Sequence, residues 1–166
     1  MSGLLWDDVK PFFDTRYNGV LPDVVVEGTS TKDWQILLDL VQSRNWKGEY
    51  QRDGVPSALP TAAELVAEGA GSADLNVWPV PEVRAIFRPY SAESIDFDLD
   101  LRELQGQERL DVLLEFLTVI GRRLGKSVLM SPEGDYGHPV LGYVVETDQV
   151  ALLADPADPA DPASPV

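Results

Sequence analysis

The chain has 166 residues, 44% of them hydrophobic and 8% aromatic, which is enough for one domain with a core of its own. It has no cysteine, which excludes disulfides, thiolate zinc sites and cysteine nucleophiles. With 28 acidic against 13 basic residues it carries a formal charge of −15, a field that repels nucleic acid and anionic lipid and favours encounter with basic proteins, although acidity can also serve solubility alone.

The opening MSGLLWDDVKPFF has no basic segment leading into an apolar run. No stretch approaches the roughly 18 consecutive apolar residues of a membrane span, so a cytoplasmic address is the expectation. Leu5, Trp6, Val9, Phe12 and Phe13 predict a short helix over residues 4–13, interrupted or restarted at Pro11. Residues 14–19 read as a turn. Residues 23–27, DVVVE, read as a strand whose consecutive valines suggest cover on both faces.

A main helix is expected over residues 31–44, capped by Ser30 or Thr31, with Asp33 in the positive first turn and an apolar side of Trp34, Leu37, Leu38 and Val41. Residues 46–51 form a strand that alternates Trp46, Gly48 and Tyr50 against Lys47, Glu49 and Gln51, closed by the turn Arg52-Asp53-Gly54. Residues 56–60 read as a loop, and residues 61–68 as a short helix with Thr61 as cap and Glu64 at the box position. Three strands follow, at 75–80, 83–90 and 94–100, with Pro79 and Pro81 marking a turn. Residues 100–103, DLRE, have capping-box spacing and begin a further helical turn.

The second main helix spans residues 107–124. Leu110, Leu113, Leu114, Leu117, Ile120 and Leu124 recur at offsets of three and four, and Glu108, Asp111, Glu115, Thr118 and Arg122 take the other side. Gly125 supplies the stop, with Arg122, Arg123 and Lys126 at the negative end of the dipole. Strands at 127–130, 140–146 and 149–153 complete the pattern, the last two joined across Thr147-Asp148 as a hairpin. The fold expected is α+β: a mixed or antiparallel sheet of about six to eight strands with two main helices (31–44, 107–124) packed on it. Residues 1–154 make a single domain. Residues 155–166 repeat Asp-Pro and read as a disordered tail, whose three aspartates leave most of the acidity in the body. The segments 23–46 and 96–128 both run strand, helix, strand, but their few shared identities favour no repeat over a duplication.

The distinctive polar feature is the comb Asp96, Asp98, Asp100, which alternates with Ile95, Phe97, Leu99 and Leu101 and sets carboxylates about 7 Å apart on one strand face. Repulsion there costs stability. The comb can be a surface for a basic partner, a metal site, or a solvated face with arginines such as Arg84, Arg88 or Arg102 nearby. A calcium loop starting at Asp96 would need glycine and glutamate where Leu101 and Gln107 stand, so no metal is expected.

His138, the single histidine, lies in EGDYGHP near Asp135 and Tyr136, with Ser131 upstream. No Gly-x-Ser-x-Gly elbow accompanies it, and a structural turn is the simpler reading. Gly69-Ala70-Gly71 follows a helix and lacks the third glycine of a dinucleotide fingerprint, so no cofactor is expected. Asp7 and Asp8 are adjacent and point apart on a helix, which is not a glycosidase couple. Of the four tryptophans, Trp6, Trp34, Trp46 and Trp78, at least three are expected to fill core, and Trp78 to be partly exposed.

The segments DVVVEGTSTKDWQILLDLV, SIDFDLDLRELQGQERLDVLLEFLTVIGRRLGKSVLMSPEG and HPVLGY are similar to a group of small bacterial proteins that resembles the immunity proteins encoded beside secreted toxins. The resemblance covers most of residues 23–143 and brings no catalytic residues with it. It implies a non-enzymatic acidic protein that binds a basic protein partner such as a toxin domain. The expected binding residues are Glu93, Asp96, Asp98, Asp100, Glu103, Glu108 and Glu115. One alternative is a small enzyme or small-ligand binder with a pocket around His138, Asp135 and Tyr136. Another is a structural or assembly protein, which a long exposed apolar strand edge would favour. The docking reading requires the comb to face open water, free of the molecule's own arginines.

Overall fold

The computed structural model describes residues 3–67 and 73–154. The expected end of the fourth helix at residue 68 and the Asp-Pro tail at 155–166 lie outside the described residues. The chain enters through two helical turns, α1 (Trp6–Val9) and a 3-10 turn (Lys10–Phe13), split where Pro11 sits. Residues 14–19 are not a plain turn. Asp14 caps a further short helix, α2 (Thr15–Asn18), by accepting from the Arg16 N–H.

Strand β1 (Asp23–Glu27) leads to α3 (Thr31–Ser43), which starts in a reciprocal capping box between Ser30 and Asp33. Next come β2 (Lys47–Arg52), β3 (Val55–Ser57) and the one-turn helix α4 (Ala62–Leu65), with Thr61 and Glu64 forming the box. Then follow β4 (Ala73–Val80), β5 (Val83–Arg88) and β6 (Ser94–Asp98). A 3-10 turn (Leu101–Glu103) precedes α5 (Gln107–Leu124), and β7 (Val128–Ser131), β8 (Leu141–Val144) and β9 (Gln149–Leu152) close the fold.

The fold is α+β, with one nine-stranded sheet in the order β3-β2-β4-β5-β6-β1-β7-β8-β9. All pairings are antiparallel, and the count exceeds the expected six to eight. The added strand is β3, in a stretch partly expected as loop, and Pro56 within it cannot donate to a ladder. At an edge that deficit costs nothing. Both edges are short, three residues in β3 and four in β9, so the long apolar edge of an assembly protein is not seen among the described residues.

The two long helices share a face for a topological reason. Strands β1 and β2 run parallel with three strands between them, and β6 and β7 run parallel across β1. Each pair is therefore joined by a helical crossover. The two crossovers start from adjacent antiparallel strands and step outward in opposite directions, so a common hand puts both helices on the same side. The two strand-helix-strand segments thus step away from the β1–β6 pair in opposite directions, one across three strands and the other across one, and sequence identity between them is slight.

The core fills the space between that helical layer and the sheet. Trp34, Leu37 and Leu40 of α3 and Leu110, Leu113, Phe116, Leu117 and Ile120 of α5 meet Val24, Val26, Leu75, Val77, Phe87, Ile95, Phe97, Val128 and Met130. Phe116 lies 5.6 Å from the Phe97 ring and 5.0 Å from Trp46, and Phe87 and Phe97 are 4.5 Å apart. Gly121 lets α5 approach β8 closely, because a Cβ there would run into the Tyr143 ring. Trp34 is buried and donates its indole N–H to the Ser91 carbonyl at 3.0 Å, while Trp6 and Trp46 pack at the core margin and Trp78 is half-buried under the Lys47 ammonium.

Candidate functional site: the open face of the sheet

Strand alternation gives the sheet a second face that no long helix covers. The register sets Asp23 opposite Asp98 and Val25 opposite Asp96, with Ile86 and Arg88 on the far side of β6 and Asn76 beyond Ile86. Val25 faces this open side, half-buried, so the valines of β1 are not covered alike on both faces. Around the centre stand Asp23, Asp74, Asp96 and Asp98, two of which, Asp74 and Asp98, bond the guanidinium of Arg88. Its Nε donates to Asp98 Oδ2 at 2.9 Å and its Nη1 to Asp74 Oδ1 at 3.2 Å. Asp96 is cross-strand from Arg88, yet it accepts from the Ser94 hydroxyl at 2.9 Å, because the guanidinium is committed to Asp98, its diagonal neighbour on β6, and to Asp74 on β4.

The β7–β8 loop closes one side. Glu133 accepts from the backbone N–H groups of Val20 and Leu21 at 3.0 and 2.7 Å, which ties the loop to the segment feeding β1. Those two bonds hold the Glu133 carboxyl below its ordinary range. Gly19 makes room for it: its φ is +72°, and a Cβ would stand 2.9 Å from Glu133 Cβ. The next residue, Gly134, has a backbone N–H that pulls the Asp23 carboxyl down. Tyr136, 68% exposed, is then close enough for the charges of Asp23, Asp98 and Asp96 to push its phenol upward, Asp23 most of all. Tyr90, 78% exposed, also stands close enough for its charge to act on Tyr136 and Arg88.

The electrostatics follow from partial burial. Asp23 is pushed up to about 6, first by desolvation, then by its hydrogen bond and charge interaction with Asp98, against a smaller opposing effect of the Gly134 N–H. Asp96 is also raised, chiefly by burial and then by the charges of Asp98 and Glu27, while the Ser94 hydroxyl pulls the other way. Arg88 is raised by Asp98. Negative charge is thus packed beyond what one guanidinium compensates.

The seven residues expected to make one acidic surface do not do so. Asp96 and Asp98 lie on the open face, but Asp98 is paired with Arg88. Asp100 leaves the ladder to cap the Leu101–Glu103 turn and is held by Arg102 through two side-chain bonds, 3.0 and 2.8 Å, that lower its carboxyl. Glu103 accepts from the Arg84 backbone N–H at 3.0 Å. Glu93 is exposed in the β5–β6 turn, where its carbonyl accepts from Thr29 N–H. Glu108 and Glu115 sit on the outer side of α5, across the whole thickness of the molecule from the comb, and Glu115 pairs with Arg44 at 3.5 Å. Two of the three comb aspartates, Asp98 and Asp100, are therefore paired with the molecule's own arginines, so the comb by itself does not meet the condition for docking, and Glu108 and Glu115 point elsewhere.

His138 is 77% exposed, with Nδ1 2.7 Å from Asp135 Oδ1, and stands in solvent instead of a pocket. A groove of about 1280 Å³ runs on the opposite side of the molecule, between Leu4 and Leu5, the outer side of α5 and the β8–β9 turn. Its flanking charges close on one another, Arg44 with Glu115 and Arg122 with Asp148 at 2.7 Å. No group of three or more His, Cys, Asp or Glu among the described residues is arranged to hold a metal ion.

Asp23, Asp74 and Tyr90 escaped the sequence reading. The visible signal for Asp23 was its parity with Val25 and Glu27 in DVVVE, but which strand would face it depends on pairing. Comparison of the chain with protein-family models, curated proteins and solved structures finds no match.

Proposed function

We propose that this chain is a non-enzymatic acidic protein that binds a basic protein partner, as an immunity protein does a toxin domain, and that it does so through the open face of its sheet. The observation that carries the reading is not the comb, which the molecule's own arginines partly pair, but the charge excess at the centre of that face: Asp23, Asp74, Asp96 and Asp98 about the guanidinium of Arg88, with exposed Tyr90 and Tyr136 nearby. A lysine or arginine from a partner would supply the missing positive charge, and the two phenol rings offer contact area and cation–π attraction to it. The net charge of −15 steers such a partner inward from beyond contact distance. The solvent-exposed His138–Asp135 pair lacks an enclosing cavity, which favours binding over chemistry in that loop.

A short lysine-rich peptide titrated into isotope-labelled protein at low ionic strength tests this. Amide shifts should concentrate on residues of β1, β5, β6 and the β7–β8 loop, and Asp96→Asn or the pair Tyr90→Ala and Tyr136→Ala should weaken them. Shifts spread over every acidic region, or centred on Glu108 and Glu115, would remove the open face as the docking site.

A further inference from the structure

We propose that Asp23 and Asp98 share one proton in the free protein and that losing it arms the open face for a cationic partner. The first half stands on geometry. The two residues are directly opposed in the β1–β6 register, where antiparallel neighbours on one face bring their side chains together. Arg88 is committed to Asp98 at 2.9 Å, which makes that carboxylate the acceptor and Asp23 the resting place of the proton.

The groups facing the pair come from every neighbouring element. Asp96 of β6, Asp74 of β4, Glu27 of β1, and Glu133 and Tyr136 of the β7–β8 loop are acidic or become so. Arg88 of β5 is the cation bonded within the cluster. With so many negative neighbours, a second full charge on the pair is costly until something positive arrives. Burial and Asp98 together push Asp23 to about 6, so the change in charge falls between mildly acid and neutral pH. Asp23→Asn mimics the protonated state, since it is uncharged and its amide can donate to Asp98.

The second half rests on the binding reading above, and the two are separable. The side-chain carboxyl resonance of Asp23 is followed from about pH 3 to about pH 8 in the full chain, alone and with the lysine-rich peptide. The expected midpoint in the wild type lies near pH 6, falls toward the ordinary carboxylate range in Asp98→Asn, and stays raised in Asp96→Asn. Peptide affinity should rise about fivefold at low ionic strength across that interval, the effect of one added charge at contact distance in water, and stay flat over it in Asp23→Asn. An ordinary midpoint for wild-type Asp23 overturns the shared proton and leaves the docking face standing. A raised midpoint with peptide shifts that never localise on the open face removes the docking reading, and with it the arming step.

Discussion

The two faces of the sheet are built from the same strands by the same alternation, yet they are in different physical regimes. On the helix-covered face, Val24, Val26, Phe87, Ile95, Phe97 and Met130 are shut from water within one apolar cluster. On the open face, the intervening positions carry Asp23, Arg88, Asp96 and Asp98, half-desolvated and incompletely balanced. The first face holds the molecule together without directional demands. The second carries charges whose energy depends on pH, salt and whatever approaches, and so it is where stability can be exchanged for binding.

The sharpest way to break the contrast is to delete a large side chain from the covered face. Phe97→Ala removes the ring that joins Phe87 to Phe116 and should cost about 3–5 kcal/mol, read from denaturant unfolding. If it cost no more than an exposed substitution, the division between the faces would be wrong. A smaller loss, about 1–2 kcal/mol, is expected for Arg88→Met, which leaves Asp98 and Asp74 without their cation beside Asp96. Adding Asp98→Asn to that variant should recover part of the loss, as shared electrostatics require.

The smallest effect is expected at Asp23, and it should have the opposite sign. Its carboxyl is raised from the ordinary 3.8 to about 6, so the folded state holds the proton more tightly than the unfolded chain. The stabilisation this brings is complete below the ordinary value, declines as pH rises through the folded value near 6, and is gone above it. Asp23→Asn should abolish that decline and, at neutral pH, unfold later than the wild type by about 1 kcal/mol after screening by solvent. A thermal-melt series from acid to neutral pH that runs parallel in both proteins would contradict it.

Helix α5 could be read residue by residue in the sequence because its signals are local. The three-four recurrence of leucines, the Gly125 stop with φ of +66° and the buried stripe all concern neighbours along one chain segment. The capping boxes at Ser30 and Thr61 were legible for the same reason. The candidate site was less so. Asp96 and Asp98 could be placed on one face from their spacing, but Arg88, ten residues before Asp98, could be named only as a nearby possibility. Glu108 and Glu115 were grouped with the comb by charge, although a crossover helix separates them from it by the thickness of the sheet.

From the amino-acid order alone came the α+β class, the two long helices, the alternation of apolar and acidic positions in β6, and the surplus of negative charge. All of these depend on contacts no more than a few residues apart or on composition. Tertiary structure decided which acids meet: that Asp23 stands against Asp98 and not against open water, that Arg88 reaches past Asp96 to Asp98 and across to Asp74, and that Glu133 ties its loop to the segment feeding β1. Strand order and register set those encounters. They are fixed by the burial of the opposite face, where one residue of slippage would carry every valine and phenylalanine into solvent.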